Sequence, residues 1–242
     1  MDIAVEATGL YKRFGSVEAV RGVDLTIPAG GVYGLIGPNG AGKTTTIRMI
    51  LGVLKPDRGS VRIFGETPHS ARRQGWITYL PEQGGVYKNL TGLDFLRYIA
   101  RLYYDNEEDA TRAVERGVEI SGLSSEDLGR IMRKYSKGMQ RRILLAAVLM
   151  VNPRLAILDE PTSGLDVVHS VAVRRNIKEY ASRGGTVLLS SHNMLEVEYL
   201  CDRVWFMKDG RIIDGGSPVE LKDRYSAENL EEAFLNALQA GG

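Results

Sequence analysis

Two glycines, a lysine and a threonine stand at fixed spacing within residues 37–45. The run reads GPNGAGKTT and fits the pattern G-x-x-x-x-G-K-[ST]. Glycines let the backbone turn so tightly that successive N–H groups face phosphate oxygens, and a helix N-terminus adds partial positive charge. In such a loop Lys43 reaches the β- and γ-phosphates, and the hydroxyl of Thr44 is offered to Mg²⁺. The run therefore predicts a nucleotide-binding protein.

Two carboxylates, Asp159 and Glu160, follow the apolar run 155–158. Parallel sheets place their ligands at the C-terminal ends of the strands, so both side chains are expected beside the phosphates. We expect Asp159 to hold Mg²⁺ through water and Glu160 to orient or deprotonate the attacking water.

The sequence contains three histidines, and only one of them is predicted to lie beside the other candidate site residues. His192 follows the apolar run 186–190, which predicts that it leaves the sheet at the edge where Lys43 and Glu160 lie. There it is expected to contact the γ-phosphate. His69 and His169 lack such a placement, and both are predicted to be surface residues.

The apolar pattern predicts an α/β fold in which these residues meet. Four short, almost continuous apolar runs indicate strands buried on both faces of a parallel sheet: 32–36, 76–80, 155–158 and 186–190. The alternation in 1–31 predicts antiparallel strands around a loop at 15–16, and Asp-Gly at 209–210 predicts a hairpin between 203–207 and 211–213.

Apolar residues at helical spacing predict the helices of the fold. Predicted helices span 45–51, ending at Gly52, and then 94–103, 107–121 and 137–151, with two short amphipathic helices in 217–240. We expect one domain over 1–242. Its predicted parts are a nucleotide-binding core with an antiparallel β subdomain (1–83 and 153–216), a helical subdomain (84–152) and a C-terminal helical tail (217–242).

Bulk composition narrows the classes of function. The chain has 242 residues, with 31 basic and 30 acidic side chains. No basic stripe is present, so nucleic acid is not an expected partner. The longest apolar run, 143–151, is far shorter than the roughly 20 residues of a membrane-spanning helix, and no signal peptide is evident, so a soluble protein is expected. The single Cys201, predicted to be buried or semi-buried, fits a reducing cytosol.

Five sequence blocks in order give a family resemblance over about residues 3–220. They are the loop 37–45, the run YSKGMQRR at 135–142, the Walker B run 155–161, the run SGLD at 163–166, and His192. The chain resembles the ATP-binding subunits of ABC transporters, for which the run at 135–142 is the signature motif. Within that family it looks most like single-domain subunits that serve exporters of the drug-resistance and sodium-efflux kind.

The resemblance implies a P-loop NTPase core, ATP and Mg²⁺ as ligands, and Lys43, Glu160 and His192 as catalytic residues. The metal is expected on Thr44, Asp159 and Glu82. The nucleotide contacts that the resemblance implies are Phe14, Gly37, Asn39, Gly40, Ala41, Gly42, Lys43, Thr44, Thr45, Glu82, Gln83, Ser136, Gly138, Gln140 and Asp166.

The resemblance also implies partners. Each signature completes the ATP site of a second nucleotide-binding domain, either an identical chain or a paralogue, so two chains enclose two nucleotides. A separate membrane-spanning permease uses the motion of this dimer for transport, and residues 84–91 are the expected docking segment. The protein is then cytoplasmic, lying peripherally on the inner face of the cell membrane.

The helix that follows Ser136 carries an unusual charge pattern. Ser136 is expected to cap this helix. Lys137, Arg141 and Arg142 then place positive charge at the helix N-terminus, which is the unfavourable end for it. We expect this charge to face a triphosphate or an acidic partner surface. Lys137 and Met139 also replace the Gly and Gln of the usual signature, and function is expected to survive because the serine and backbone donors remain.

Two assignments stay open at this stage. The Q-loop position falls on Glu82 by alignment, with Gln83 as the alternative. A carboxylate only accepts hydrogen bonds, whereas a Gln amide also donates. The aromatic that stacks on adenine is expected to be Phe14, although Tyr11 competes, and stacking there favours ATP over GTP without enforcing it.

Other ABC ATPases offer a rival class. A soluble ATPase without a transport role, such as an iron–sulfur cluster assembly subunit, has a similar length. A nucleotide-binding regulator without turnover is a weaker alternative, because every catalytic position is filled. The transported molecule contacts the permease, so its identity is not encoded in this chain.

Overall fold

The computed structural model describes residues 2–240, so residue 1 and the last two residues of the expected tail lie outside it. Among these residues the strands are β1 (Ile3–Phe14), β2 (Val17–Pro28), β3 (Gly31–Ile36), β4 (Arg58–Ile63), β5 (Ile77–Leu80), β6 (Leu155–Asp159), β7 (Thr186–Ser191), β8 (Arg203–Lys208) and β9 (Arg211–Gly216). The helices are α1 (Lys43–Ile50), α2 (Pro68–Arg73), α3 (Gly92–Tyr103), α4 (Glu107–Ser121), α5 (Ser125–Leu128), α6 (Lys137–Leu149), α7 (Val167–Ser182), α8 (Met194–Leu200), α9 (Pro218–Arg224) and α10 (Leu230–Ala240), with a 3₁₀ turn at Met132–Lys134.

The central sheet has the strand order β5-β6-β7-β3-β8-β9. The first five strands run parallel, and β9 pairs antiparallel with β8 through the predicted Asp-Gly hairpin. Every residue of β6 and β7 is buried, because helices or the second sheet cover both faces. The predicted parallel sheet is thus confirmed, and its register places Asp159 directly beside Ser190.

A second, antiparallel sheet has the order β2-β1-β4. The hairpin of β1 and β2 was expected from the alternation of apolar residues. The third strand, β4, was not, because five of its six residues are not buried and its sequence shows no clear alternation. Apolar side chains of this sheet pack with those of α1 and one face of the central sheet into a common core.

Helix α1 begins two residues earlier than its apolar spacing suggests. Gly42 precedes it with φ of 104°, a left-handed conformation that ends the loop and lets the helix begin at Lys43. A Cβ at Gly37 would collide with the carbonyl oxygen of Met207, so glycine is required there by the strand behind the loop. Lys43 and Thr44 therefore lie in the first helical turn, where N–H groups are free.

Helices α3, α4 and α6 surround an apolar cluster of their own, which includes Phe95, Leu96, Ala113 and Met132. The opposite face of α6 contributes Leu145 and Leu149 to the core beneath the central sheet. The helical subdomain at 84–152 stays a prediction. Helix α6 is the element that joins it to the nucleotide-binding core.

Candidate functional site

The loop between β3 and α1 forms one wall of a cleft of about 260 Å³. Lys43 lies in this wall, and its ammonium donates to the carbonyl oxygens of Gly37, at 2.6 Å, and Pro38, at 3.2 Å. Burial lowers the pKa of Lys43, while the nearby charges of Glu160 and Asp159 oppose that shift. The lysine is folded over its own loop, beside the free N–H groups that can receive phosphate.

Asp159 ends β6 on the opposite wall, where it is buried. Its Oδ2 lies 3.5 Å from Thr44 Oγ1 and accepts a hydrogen bond from the Tyr79 hydroxyl at 3.2 Å. The Ser190 hydroxyl donates to its Oδ1. Burial and the Asp159 carboxylate raise the pKa of Tyr79 to about 12, so this phenol remains a neutral donor. These contacts fix the carboxylate toward Thr44.

Sequence reasoning missed Tyr79 and Ser190 as partners of Asp159. Tyr79 lies in β5, and Ser190 pairs with Asp159 across β6 and β7. Both side chains are part of apolar strand runs whose register is not visible in the sequence. The Ser190-Ser191 pair, which is polar within a buried strand, was the available signal.

Glu160 follows Asp159 and has φ of 50°, which is uncommon for a residue with a side chain. Its Oε1 lies 2.8 Å from His192 Nδ1, and the Ser191 hydroxyl lies 3.5 Å from its Oε2. The backbone turn thus presents the carboxylate to the cleft, where His192 meets it. The structure therefore brings Lys43, Asp159, Glu160 and His192 to one end of the central sheet.

The Q-loop candidates are both exposed, but their positions differ. Glu82 lines the cleft together with the phosphate-binding loop, and Gln83 is not among the residues that line it. This placement favours Glu82, the choice by alignment.

The two aromatic candidates lie near the end of the β1–β2 hairpin. The side chain of Phe14 is 50% exposed, and its ring lies 5.7 Å from Lys12 Nζ. Tyr11 is 40% exposed and packs near Arg58, whose guanidinium carbon lies 6.0 Å from its ring. Phe14 is thus the freer of the two rings.

Ser136 caps α6 as expected, accepting from the Met139 N–H at 3.2 Å. Neither Ser136 nor Gly138 lines the cleft that holds the phosphate-binding loop. Gln140 also lies outside it and donates to the carbonyl of Tyr135 at 3.1 Å. A single chain therefore does not bring its signature to its own phosphate-binding loop.

The expected cluster of positive charge at this helix is only partly present. Arg141 is buried and points into the protein, so the expectation that it faces a triphosphate or a partner surface is wrong. Arg142 donates to the Gly122 carbonyl at 3.2 Å. Lys137 is exposed and remains at the free helix end. The expectation fails because backbone carbonyls after β5 and at the end of β6 accept hydrogen bonds from the Arg141 guanidinium and hold it inside the protein.

His169 is less exposed than the surface position expected for it. Its Nδ1 lies 2.6 Å from Asp166 Oδ2, and its N–H donates to Asp166 Oδ1 at 2.9 Å. Asp166 thereby caps α7, and this hydrogen bonding lowers the pKa of Asp166. The imidazole faces Gly138, where an added Cβ would meet the ring at 3.5 Å. His69 is exposed and Cys201 is buried, as predicted.

Two further observations concern the rest of residues 2–240. A larger concavity, about 770 Å³, lies between α3 and α4, away from the phosphate-binding loop. Within this part of the chain, no helix combines the length and apolar character needed to cross a membrane.

Comparison with known proteins agrees with this architecture. The sequence profile of the family described as "ABC transporter" matches residues 20–163. The chain is 40% identical to the daunorubicin/doxorubicin resistance ATP-binding protein DrrA of Streptomyces peucetius, over 94% of this chain and 69% of the relative. It is 37% identical to the bacitracin transport ATP-binding protein BcrA of Bacillus licheniformis, over 88% and 70% of the two chains.

A solved structure extends the likeness to the whole fold. An ATP-binding subunit of an ABC transporter superposes with a TM-score of 0.88 at 27% identity, covering 97% of this chain and 99% of the other. Together with the cleft geometry, these matches show that the chain belongs to the ABC transporter family.

Proposed function

We propose that this chain binds and hydrolyses ATP to power transport by a separate membrane-spanning partner, and that the direction of this transport is export. The observation that carries the proposal is the meeting of Lys43, Asp159 and Glu160 at one cleft, with His192 in contact with Glu160. Lys43 holds the β- and γ-phosphates, and Glu160 orients or deprotonates the attacking water. His192 orients the Glu160 carboxylate and contacts the γ-phosphate.

The donor set of the cleft fits Mg²⁺. Thr44 Oγ1 and Asp159 Oδ2 face each other at 3.5 Å, and oxygen atoms are the ligands that Mg²⁺ prefers. Residues 2–240 contain no cluster of three or more His, Cys, Asp or Glu side chains that could hold a metal alone. This agrees with a site in which Thr44, Asp159 and Glu82 hold the ion together with phosphate oxygens. The ion would neutralise developing charge on the phosphates.

We further propose that the active form is a dimer in which each signature completes the site of the other chain. The absence of Ser136 and Gly138 from the lining of their own cleft supports this arrangement. The first turn of α7, directly after Asp166, exposes Val167 and Val168, each at 77%. Exposed apolar side chains next to a catalytic loop are typical of a surface that a partner covers. The partner is an identical chain or a paralogue.

The permease is proposed to dock on the segment 84–91. Tyr87 is 54% exposed and meets Tyr98 edge to face, with ring centroids 5.7 Å apart. An apolar helix set against such rings would be a common recognition mode. This docking places the protein at the inner face of the cell membrane, in the cytoplasm. The relatives named for drug resistance and bacitracin transport support export as the direction.

Affinity purification from gently solubilised membranes of the native host tests the transport role. We expect a polytopic membrane protein to copurify in near-equal amount. If only soluble partners copurify, the assembly-subunit alternative replaces the transport role. The ATPase assignment is independent of that outcome, because it depends on the cleft.

A further inference from the structure

Arg141 lies in the second turn of α6, and its guanidinium is enclosed between two loops of the site. Only 6% of the residue is exposed. Nε donates to the carbonyl of Pro161 at 2.9 Å, and Nη1 donates to that of Pro81 at 2.7 Å. Nη2 donates to the carbonyls of Asp159, at 2.7 Å, and Glu160, at 2.6 Å. A longer contact joins Nη1 to the Glu82 carbonyl at 3.4 Å.

All of these acceptors are backbone oxygens. Across residues 2–240, no salt bridge to a carboxylate is found for Arg141. Burial lowers its pKa, and the surrounding negative charges of Asp159, Glu160 and Glu82 offset that effect. Isolating a charge from water is costly, so its retention here requires the converging carbonyls. A planar fork of five N–H donors suits such a ring of acceptors better than the point charge of lysine.

The carbonyls held by Arg141 belong to an unusual backbone turn. Asp159, Glu160 and Pro161 point three successive carbonyls toward one guanidinium. Glu160 in the middle has φ of 50°. This conformation is unfavourable for a residue that is not glycine, so surrounding contacts must hold it. The direction of the Glu160 side chain follows from that turn.

The same guanidinium reaches the start of the Q-loop at Pro81 and Glu82. Arg141 therefore ties three parts of the molecule: α6, the turn that carries Glu160, and the loop that leads from β5 into the helical subdomain. Any displacement of α6 relative to the central sheet must change these hydrogen bonds.

We propose that Arg141 is a positioning residue, which holds the backbone turn of Glu160 and ties the catalytic carboxylate to the helical subdomain and the Q-loop. The inference rests on the proposed role of Glu160 in hydrolysis. Arg141 is then an internal link between α6 and the turn of Glu160, and not the partner-facing charge that its sequence position suggests.

The test compares three variants, Arg141→Ala, Arg141→Lys and Arg141→Gln, in steady-state ATP hydrolysis and in ATP binding. We expect kcat to fall between about tenfold and a hundredfold in Arg141→Ala, since small displacements of a catalytic group have effects of that size. The Kd for ATP is expected to stay within about twofold, because Arg141 does not line the nucleotide cleft. Lysine and glutamine each retain part of the donor set and should give intermediate kcat values.

Arg116→Ala is the matched control. Arg116 is also partly buried and donates through Nε and Nη2 to one backbone carbonyl, that of Met150 at the other end of α6, at 3.1 and 3.0 Å. We expect both Arg116→Ala and Arg141→Ala to lose thermal stability, but only Arg116→Ala to keep its kcat. Equal losses of kcat in both variants would show that only the stability of α6 matters, and they would overturn the inference.

A double-mutant cycle with Glu160→Gln separates the inference from the proposed function. If Arg141 acts through Glu160, adding Arg141→Ala to Glu160→Gln should not lower the residual single-turnover rate further. A multiplied loss would overturn the positioning role. If Glu160→Gln itself hydrolyses ATP normally, the role of Glu160 fails. If Glu160→Gln is inactive while Arg141→Ala keeps its kcat, only the positioning inference fails.

Discussion

The Glu160 carboxylate and the His192 imidazole meet at the end of the central sheet, with Oε1 2.8 Å from Nδ1. Only 8% of the Glu160 side chain is exposed, against 61% of the His192 side chain. The pair therefore reaches from the protein interior to the open side of the cleft. The sheet holds the buried Glu160 carboxylate, the proposed base, in place, while the histidine stays exposed, as its proposed contact with a phosphate requires.

Replacing Glu160 by Gln should nearly abolish turnover while ATP still binds. Glutamine keeps the shape of the side chain but does not accept a proton from water, so we expect the hydrolysis rate to fall at least about a hundredfold. ATP should then hold two chains together, which size-exclusion chromatography with ATP and Mg²⁺ will detect as a dimer. Glu66→Gln, which changes an exposed carboxylate, is the matched control. Normal hydrolysis by Glu160→Gln would contradict the assignment of the base.

Replacing Lys43 by Ala should weaken nucleotide binding itself. The lysine is buried beside the loop and supplies a charged donor, so its loss is expected to raise the Kd for ATP at least about tenfold. Isothermal titration calorimetry gives the Kd directly. Lys55 is exposed, so Lys55→Ala is the control and should bind ATP with the affinity of the unchanged protein. An unaltered ATP affinity in Lys43→Ala would show that the loop does not use this side chain.

The aromatic alternatives can be separated by affinity. Phe14→Ala is expected to raise the Kd for ATP about tenfold, because stacking a base on an aromatic ring contributes about 1–3 kcal/mol. Tyr11→Ala should change it less than about twofold, since Tyr11 is the less exposed of the two residues. Titrations with ATP and GTP measure both effects. If Tyr11→Ala raised the Kd for ATP more than Phe14→Ala, Tyr11 would be the residue that stacks on adenine.

Several parts of the site follow from sequence patterns because each pattern has a local physical cause. The phosphate-binding loop needs Gly37 and Gly42 for its backbone, and a strand and a helix must flank it. Continuous apolar runs predict buried parallel strands, and the ends of such strands bring Glu160 and His192 to one edge. These relations need no knowledge of side-chain rotamers.

Other features of the site and the fold depend on tertiary packing, so sequence patterns do not predict them. The contact of Tyr79 with Asp159 depends on the pairing of β5 with β6, which distant residues determine. Arg141 follows the exposed Ser136 and Lys137 in sequence, and only the rotation of α6 against the sheet shows that Arg141 is buried. The exposed strand β4 has too few buried side chains to leave an alternating pattern.

The C-terminal tail should loosen from the core when Glu198 is neutralised. Its Oε1 lies 2.5 Å from Lys222 Nζ in α9, and its Oε2 accepts the N–H of Leu230 at the start of α10, at 2.9 Å. Burial alone would raise the pKa of Glu198, but these hydrogen bonds outweigh it and lower the pKa below its ordinary value. A carboxyl whose folded pKa is depressed contributes stability above its unfolded pKa of about 4.3, and this is lost as the pH falls through the folded pKa.

Glu198→Gln should therefore reduce the free energy of unfolding by about 1 kcal/mol at pH 7. The difference from the unchanged protein should persist down to about pH 5 and vanish at lower pH, where Glu198 becomes protonated in both states. Urea denaturation at a series of pH values measures it, with Glu66→Gln as the control for an exposed carboxylate. Hydrogen exchange in α9 and α10 should rise in parallel. A difference that stays constant to pH 3, or that grows in acid, would show that the charge of Glu198 does not hold the tail.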